Sequence, residues 1–287
     1  MHTKHEADAS QKLPSGTTET KVEEAIVAWA EELVEKCHPK IAPIDVEKLA
    51  MGVGIKEIHK ENISADGILS PIQGGFILTL NRNQCLERQR FTCAHEIAHT
   101  FFVPSGCAQR PGESQKTVVK NLRERETERL CDIAATHILM PDEMFKREAL
   151  ECGLSIEAIP QLAHTFQTSL SATAIRLVEI SPIPLITIFS KVFDRPESCP
   201  KLRVRWSTQN VSDKISKRYF IPTNVPVDKH ASIRRAYETG RVCRGFESMN
   251  MGNLKGTYYV ESKGFGATEN RYAASLVFLH AQSKAFI

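Results

Sequence analysis

"RFTCAHEIAHTFF", Arg90–Phe102, holds His95 and His99 four residues apart, with Glu96 directly after the first. Phe91, Ala94, Ala98 and Phe101/Phe102 recur around them at helical spacing. The stretch 85–103 is therefore predicted to be a helix with one apolar stripe, ended by Pro104-Ser105-Gly106. Residues i and i+4 lie one turn apart on one helix face, so the two imidazoles can converge on a single ion. Zinc accepts such nitrogens at about 2.0–2.1 Å, and a catalytic zinc keeps three protein ligands and one open position. Glu96 lies about 100° round the helix from His95, beside such an ion rather than on it. A carboxylate there suits a general base acting on water, which is the logic of the H-E-x-x-H pattern. The plain alternative is a core helix carrying two hydrogen-bonded histidines.

A third ligand should come from another helix. "NLRERETERLCDIAATHILM", residues 121–140, is predicted to be one, closed by Pro141. Glu128 is the best placed of its carboxylates, and Asp132 follows one turn later on the same face. A carboxylate at 132 can accept the second N–H of a ligand histidine and fix its tautomer. Glu124 and Glu126 compete with Glu128. Glu124 shares its face but comes too early if Leu130, Ile133, Ala134 and Ile138 face the core. Taken alone, Glu128 and Asp132 would read as a solvated helix face.

Elsewhere the pattern predicts a helix over 22–38, a short helix stopped at Gly52 and then a strand. A hairpin follows over 66–81, with Gly74-Gly75 as its turn and "FILTL" (76–80) as its second strand. Three short helices fill 141–180, with Ser155 and Ser171 as N-caps and Gly153 as a C-cap. "SPIP" (181–184) marks a domain boundary. Beyond it "LITIFSKVF", "KLRVRWS", "KRYFI", "GTYYVES" and "ASLVFLHA" read as strands and "DKHASIRRAYETG" as a helix, an α+β module around one sheet. The polar residues 1–20 read as a disordered tail with no apolar signal core. No apolar run is long enough to span a membrane. Eight cysteines without a C-x-x-C pair and without an export signal point to free thiols in the cytoplasm.

"RFTCAHEIAH", "ERLCDIAATHILMP" and the strand "GGFILTLN" together resemble the ImmA/IrrE-type zinc metallopeptidases, over about residues 22–180. The resemblance implies one zinc per chain, with His95, His99 and Glu128 as ligands and Glu96 as catalytic base. It implies a fold of class α+β: a mainly helical zincin-like peptidase domain (21–140) with a small edge sheet, then a helix-turn-helix-like segment (141–180). A GAF-like sensor domain (181–287) would follow. Members often cleave a helix-turn-helix repressor encoded beside them and so switch on a stress or defence operon. Those with a GAF-like domain include a radiation-response peptidase and a peptidase of CBASS anti-phage operons. The alternative function is a zinc-containing DNA-binding regulator without proteolysis. Another is an idle scaffold that sequesters its partner. An intact Glu96 favours proteolysis, since only water activation needs it.

The expected chemistry is peptide hydrolysis, with the substrate extended along "FILTL" as an edge strand. No tyrosine precedes Tyr219, so the oxyanion donor is left open among His137, an arginine and backbone N–H groups. Cys107, on "VPSGCAQRPG" just past the zinc helix, is a candidate inhibitory zinc thiolate, against the plain reading of an inert loop residue. Cys93 and Cys131 read as packing residues.

Charge is divided unevenly: residues 1–180 carry 20 Lys+Arg and 26 Asp+Glu, and residues 181–287 carry 17 and 8. Arg203, Arg205, Lys217, Arg218, Arg234 and Arg235, interleaved with Trp206, Tyr219, Phe220 and Tyr237, are candidates to bind single-stranded DNA as an activator. A solvated basic surface is the plain reading, and anionic small molecules are the next ligand class. Duplex reading by 141–180 is disfavoured, because Arg176 is the one basic residue in its presumed recognition helix.

Overall fold

Where apolar periodicity is strong, the elements form as the pattern requires. The computed structural model describes residues 19–37, 41–102, 124–193, 201–210, 219–267 and 270–279. Among these are eight α-helices and two sheets, a mixed α+β protein. Compactness divides the chain into Met1–Phe145 with Thr165–Ser169, and Lys146–His164 with Leu170–Ile287. The helical segment 141–180 is thus shared between the two units. The disordered-tail reading of residues 1–20 falls almost wholly outside the described residues, and Glu19 already opens a helix.

In the first unit, α1 (Glu19–Lys36) and α3 (Leu86–His99) pack on α4 (Glu124–Leu139). A single 3₁₀ turn, Thr100–Phe102, extends α3. The short α2 (Val46–Gly52) is capped by Asp45, whose carboxylate accepts the Lys48 N–H at 3.0 Å. The sheet consists of β1 (Ile55–Glu61), β2 (Gly67–Ile72) and β3 (Gly75–Asn81) in the order β1-β3-β2. β3 pairs parallel to β1 and antiparallel to β2. "FILTL" is therefore the central strand. Both its edges are used, so it cannot accept a peptide, and among the described residues the unpaired edge beside α3 belongs to β2.

In the second unit, β4 (Leu185–Phe193), β5 (Lys201–Gln209), β6 (Val242–Met251), β7 (Leu254–Phe265) and β8 (Tyr272–Phe278) form one antiparallel sheet, ordered β5-β4-β8-β7-β6. One face packs on α8 (Ser232–Thr239), where Ser232 Oγ lies 3.0 Å from Ser262 Oγ. The other face carries Glu261, whose carboxylate accepts the Ile156 N–H at 2.9 Å. Three further helices are α5 (Asp142–Cys152), α6 (Ala158–Phe166) and α7 (Leu170–Glu179). Ser155 Oγ accepts from Ala158 N as expected of a cap, whereas Ser171 lies inside α7. Gly153 has the positive φ of 77° that a helix-ending residue needs.

Two strand expectations change. The described part of "KRYFI" is not a strand, because the Gln209 side-chain amide takes both the N–H and the carbonyl of Tyr219. β6 was not expected. It is an edge strand in which Gly245 and Glu247 occupy the inward positions ahead of Met249 and Met251 and an exposed Phe246 faces out, which hides the apolar period.

Candidate metal centre

Small residues make the junction of α3 and α4. Ala94 and Ala98 on α3 and Ala134 and Ala135 on α4 are fully buried, and side chains this small let two helices lie close. The polar faces then meet. His95 Nε2 and His99 Nε2 are 3.1 Å apart. Glu128 sets one carboxylate oxygen 3.2 Å from the first and the other 3.5 Å from the second. The opposite ring nitrogens are held by α4: Asp132 Oδ1 lies 3.0 Å from His95 Nδ1, and Cys131 Sγ lies 3.6 Å from His99 Nδ1. Both rings are thus fixed from behind, and both Nε2 atoms face the Glu128 carboxylate.

A tetrahedral zinc with bonds of about 2.0–2.1 Å separates neighbouring donors by about 3.3–3.4 Å. The two imidazole nitrogens at 3.1 Å, with one Glu128 oxygen 3.2 Å from His95 and the other 3.5 Å from His99, lie near that value, so two nitrogens and a carboxylate oxygen fit the ion. The histidine side chains are 15% and 23% exposed and Glu128 52%, so solvent reaches the cluster most readily at Glu128. His95, His99 and Cys131 also bring donor atoms within 4.8 Å of one another. Cys131 nevertheless meets the Nδ1 edge of His99, away from the paired Nε2 atoms. Burial, with Glu128, Glu96 and Asp132 nearby, pushes its thiol well up and keeps it protonated. It lies behind His99, on the side away from the Glu128 carboxylate.

The field of the site follows from the same contacts. Burial opposes charge on His95, but the Asp132 hydrogen bond and the Asp132, Glu96 and Glu128 charges outweigh it and raise its pKa. Burial and the neighbouring His95 lower that of His99 against Glu128 and Asp132. Burial raises the Glu96 carboxyl, helped by Glu128 and opposed by His95. A carboxylate more basic than usual is what proton abstraction from water calls for.

Some expected participants lie elsewhere. Cys107 is outside the described residues, as are Lys217 and Arg218. His137 is nine residues beyond Glu128 on α4, about 13 Å along the axis and half a turn round it. Its Nδ1 meets Glu31 and Asp142 at 3.0 and 3.2 Å, so it does not serve as oxyanion donor at the Nε2 pair. Cys93 is buried and contacts the Val46 carbonyl, and burial pushes its thiol up to about 12. Arg176 is buried on α7 against Glu179.

The basic candidates of the second unit separate onto two faces. Arg203 pairs with Lys191, on the sheet face opposite α8, and donates to the Asn224 carbonyl at 2.7 Å. Arg205 is the exposed residue at the β4–β5 bulge. Arg234 and Arg235 ride on α8, against the other face, and Arg234 pairs with Glu238. What the first face does carry was not foreseen. Phe189 stacks on Trp206 with ring centroids 4.2 Å apart and on Tyr272 at 5.7 Å, and Tyr272 stacks on Phe265 at 5.7 Å. Lys263 lies over the Phe265 ring at 5.7 Å, and Lys191 and Arg203 flank the same row. Each ring is on a different strand, so no local pattern announces the row.

Residues 46–178 match a peptidase family described as the IrrE N-terminal-like domain. The chain is 31% identical over 121 residues to the radiation response metalloprotease IrrE of Deinococcus radiodurans, covering 42% of this chain and 36% of that protein. It is 28% identical over 162 residues to the protein of the same name from Deinococcus deserti, covering 55% and 56%. The matches therefore span between a third and just over half of those relatives' length. In fold, a Mycobacterium tuberculosis transcriptional regulator superposes with a TM-score of 0.55 at 15% identity, over 88% of this chain and 87% of that one. At that identity the likeness concerns the fold. No helix among the described residues is long and apolar enough to cross a membrane.

Proposed function

We propose, from the metallopeptidase family that residues 46–178 match, that the chain is a zinc-dependent endopeptidase acting on a helix-turn-helix transcriptional repressor in the cytoplasm. Cleavage would derepress a stress or anti-phage defence operon. The observation that carries the reading is the paired Nε2 atoms of His95 and His99, 3.1 Å apart and backed by Glu128, with Glu96 one residue along.

His95, His99 and Glu128 would hold the ion, and Asp132 and Cys131 hold the rings that present it. A zinc ion held there supplies Lewis acidity toward a peptide carbonyl and toward water. Glu96 takes a proton from the attacking water and passes it to the leaving amine nitrogen.

The antiparallel sheet with α8 on one face supports a GAF-like sensor reading of the C-terminal region. In the row Trp206, Phe189, Tyr272 and Phe265 the two phenylalanines are buried, and the half-buried Trp206 and Tyr272, flanked by Lys191, Arg203 and Lys263, support single-stranded DNA as the ligand, since aromatic rings beside cations take bases without regard to sequence. On this reading DNA binding raises cleavage. The burial of Arg176 speaks against the alternative of a non-proteolytic DNA-reading regulator.

The test is to measure bound zinc and then incubate the chain with the helix-turn-helix protein encoded beside it, with and without single-stranded DNA. One equivalent of zinc and a single DNA-stimulated cut support the proposal; zinc without any cut removes the peptidase. Trp206→Ala is expected to weaken DNA binding by about 1–3 kcal/mol, in a binding curve that also falls with salt.

A further inference from the structure

The β2–β3 hairpin turns through Gln73-Gly74, a two-residue loop closed by the pair Ile72–Gly75. In such a hairpin the closing pair is hydrogen-bonded, and bonded pairs alternate from there. Ile72, Ser70 and Ile68 therefore bond to β3. Pro71, Leu69 and Gly67 turn their backbone polar groups toward the open edge of the sheet. Two observations agree with this phase. Asn81 N donates to the Asp66 carbonyl at 2.9 Å, the next inward position. Pro71, which has no N–H, stands at an outward position, as a proline in an edge strand must.

Gly67 directs its Cβ position toward α3. A Cβ on Gly67 would lie 2.4 Å from Thr92 Cγ2 and 3.5 Å from Glu96 Oε1. The strand backbone thus passes close beside the carboxylate of Glu96, and glycine makes the approach possible. The approach is also anchored. Asp66, directly before β2, receives both Arg88 and Gln84, from α3 and the turn before it, with Gln84 Nε2 at 2.8 Å.

We infer that a substrate peptide adds to β2 as a new strand over Gly67–Leu69 only, and that Pro71 ends this track. The inference rests on the metallopeptidase reading and deepens it. The track offers two N–H donors, those of Gly67 and Leu69, and beyond them Pro71 offers a carbonyl alone. Its substrates are therefore segments that present about three extended residues next to the scissile bond. A loop or an unfolded stretch meets that demand. A residue inside a helix does not, because its N–H is already bonded within its own chain.

The test uses the full chain, zinc-loaded and with Glu96 intact, with a peptidyl hydroxamate, which offers no scissile bond at the metal, as probe. Amide hydrogen exchange is read residue by residue. Bound probe is expected to slow exchange at Gly67 and Leu69 by about tenfold or more. Leu69→Pro costs the β3 ladder no bond and is expected to weaken probe binding about tenfold at unchanged zinc content. Pro71→Ala adds a donor and is expected to tighten binding and to bring protection at residue 71. Probe binding without protection at Gly67 and Leu69, or at wild-type strength in Leu69→Pro, overturns the track and leaves the metal site standing. A zinc-loaded chain that takes up no hydroxamate overturns the peptidase reading, and the track with it.

Discussion

His95 and His137 both meet two carboxylates contributed by other parts of the chain, yet the two clusters are built for different work. At His95 the Nδ1 edge is taken by Asp132 and the Nε2 edge is turned toward a second imidazole and the Glu128 carboxylate. At His137 a single nitrogen, Nδ1, faces Glu31 and Asp142 together, and Glu31 Oε1 already accepts the Asp142 N–H at 3.0 Å. The second cluster's three donor atoms are close enough to surround an ion. They are also matched to one another, one bridging imidazole between two acceptors, and they tie α1 to α4 and to the start of α5. Proximity of His, Asp and Glu is common to both clusters. Convergent nitrogens supported from behind belong to one.

His99→Ala tests that distinction most severely. It removes one of two facing nitrogens, so the chain is expected to lose its zinc and with it at least about a thousandfold of its cleavage rate. His137→Ala should keep a full equivalent. Metal analysis of the two purified variants decides the matter, and equal zinc in both would erase the contrast. Next in size is Glu96→Gln, which leaves every donor in place. Zinc content should be unchanged while kcat falls by about 10²–10⁴-fold, the usual worth of a positioned proton carrier. Full cleavage in this variant would take the base role from Glu96.

The part of the site visible in the sequence is the part set by helical phase. His95, Glu96 and His99 lie within five residues, and Glu128 with Asp132 repeats the same one-turn spacing on α4. Helix geometry alone carries that information. What depends on how elements pair is not written locally. "FILTL" looks like any half-apolar strand, and only the order β1-β3-β2 makes it central and gives the open edge to β2. Arg203 and Arg234 look like one basic cluster along the chain, yet the sheet sets them on opposite faces. The row Trp206, Phe189, Tyr272 and Phe265 exists only once four strands have found their register. Cys131 was legible in principle: it precedes Asp132, and adjacent residues on α4 can serve the adjacent imidazoles.

Asp132→Asn asks how much support from behind is worth. The amide can still accept from His95 Nδ1 but carries no charge. His95 should lose the chief influences that raise its pKa and become a weaker donor to the ion. Zinc affinity is expected to fall by about 10–100-fold, the range for such outer partners. Competition with a chelator measures it. An unchanged affinity would mean that the convergence of Nε2 atoms suffices by itself.

The smallest effect should come from the other cluster. The His137 side chain is 12% exposed, and the carboxylates of Glu31 and Asp142 both lie at its Nδ1. Removing the ring in His137→Ala leaves Glu31 and Asp142 facing one another without it, although Asp142 N still donates to Glu31. Both carboxylates are partly exposed, at 30% and 36%, so water replaces some of what is lost. The cost is expected to be about 1–3 kcal/mol of stability, seen as a lower denaturant midpoint at unchanged slope. His137→Gln, which can restore one hydrogen bond, should recover part of it. If His137→Ala instead lowered the zinc stoichiometry below that of the wild type while leaving the midpoint in place, the cluster would be a second metal site, and the division drawn between the two histidine groups would be wrong.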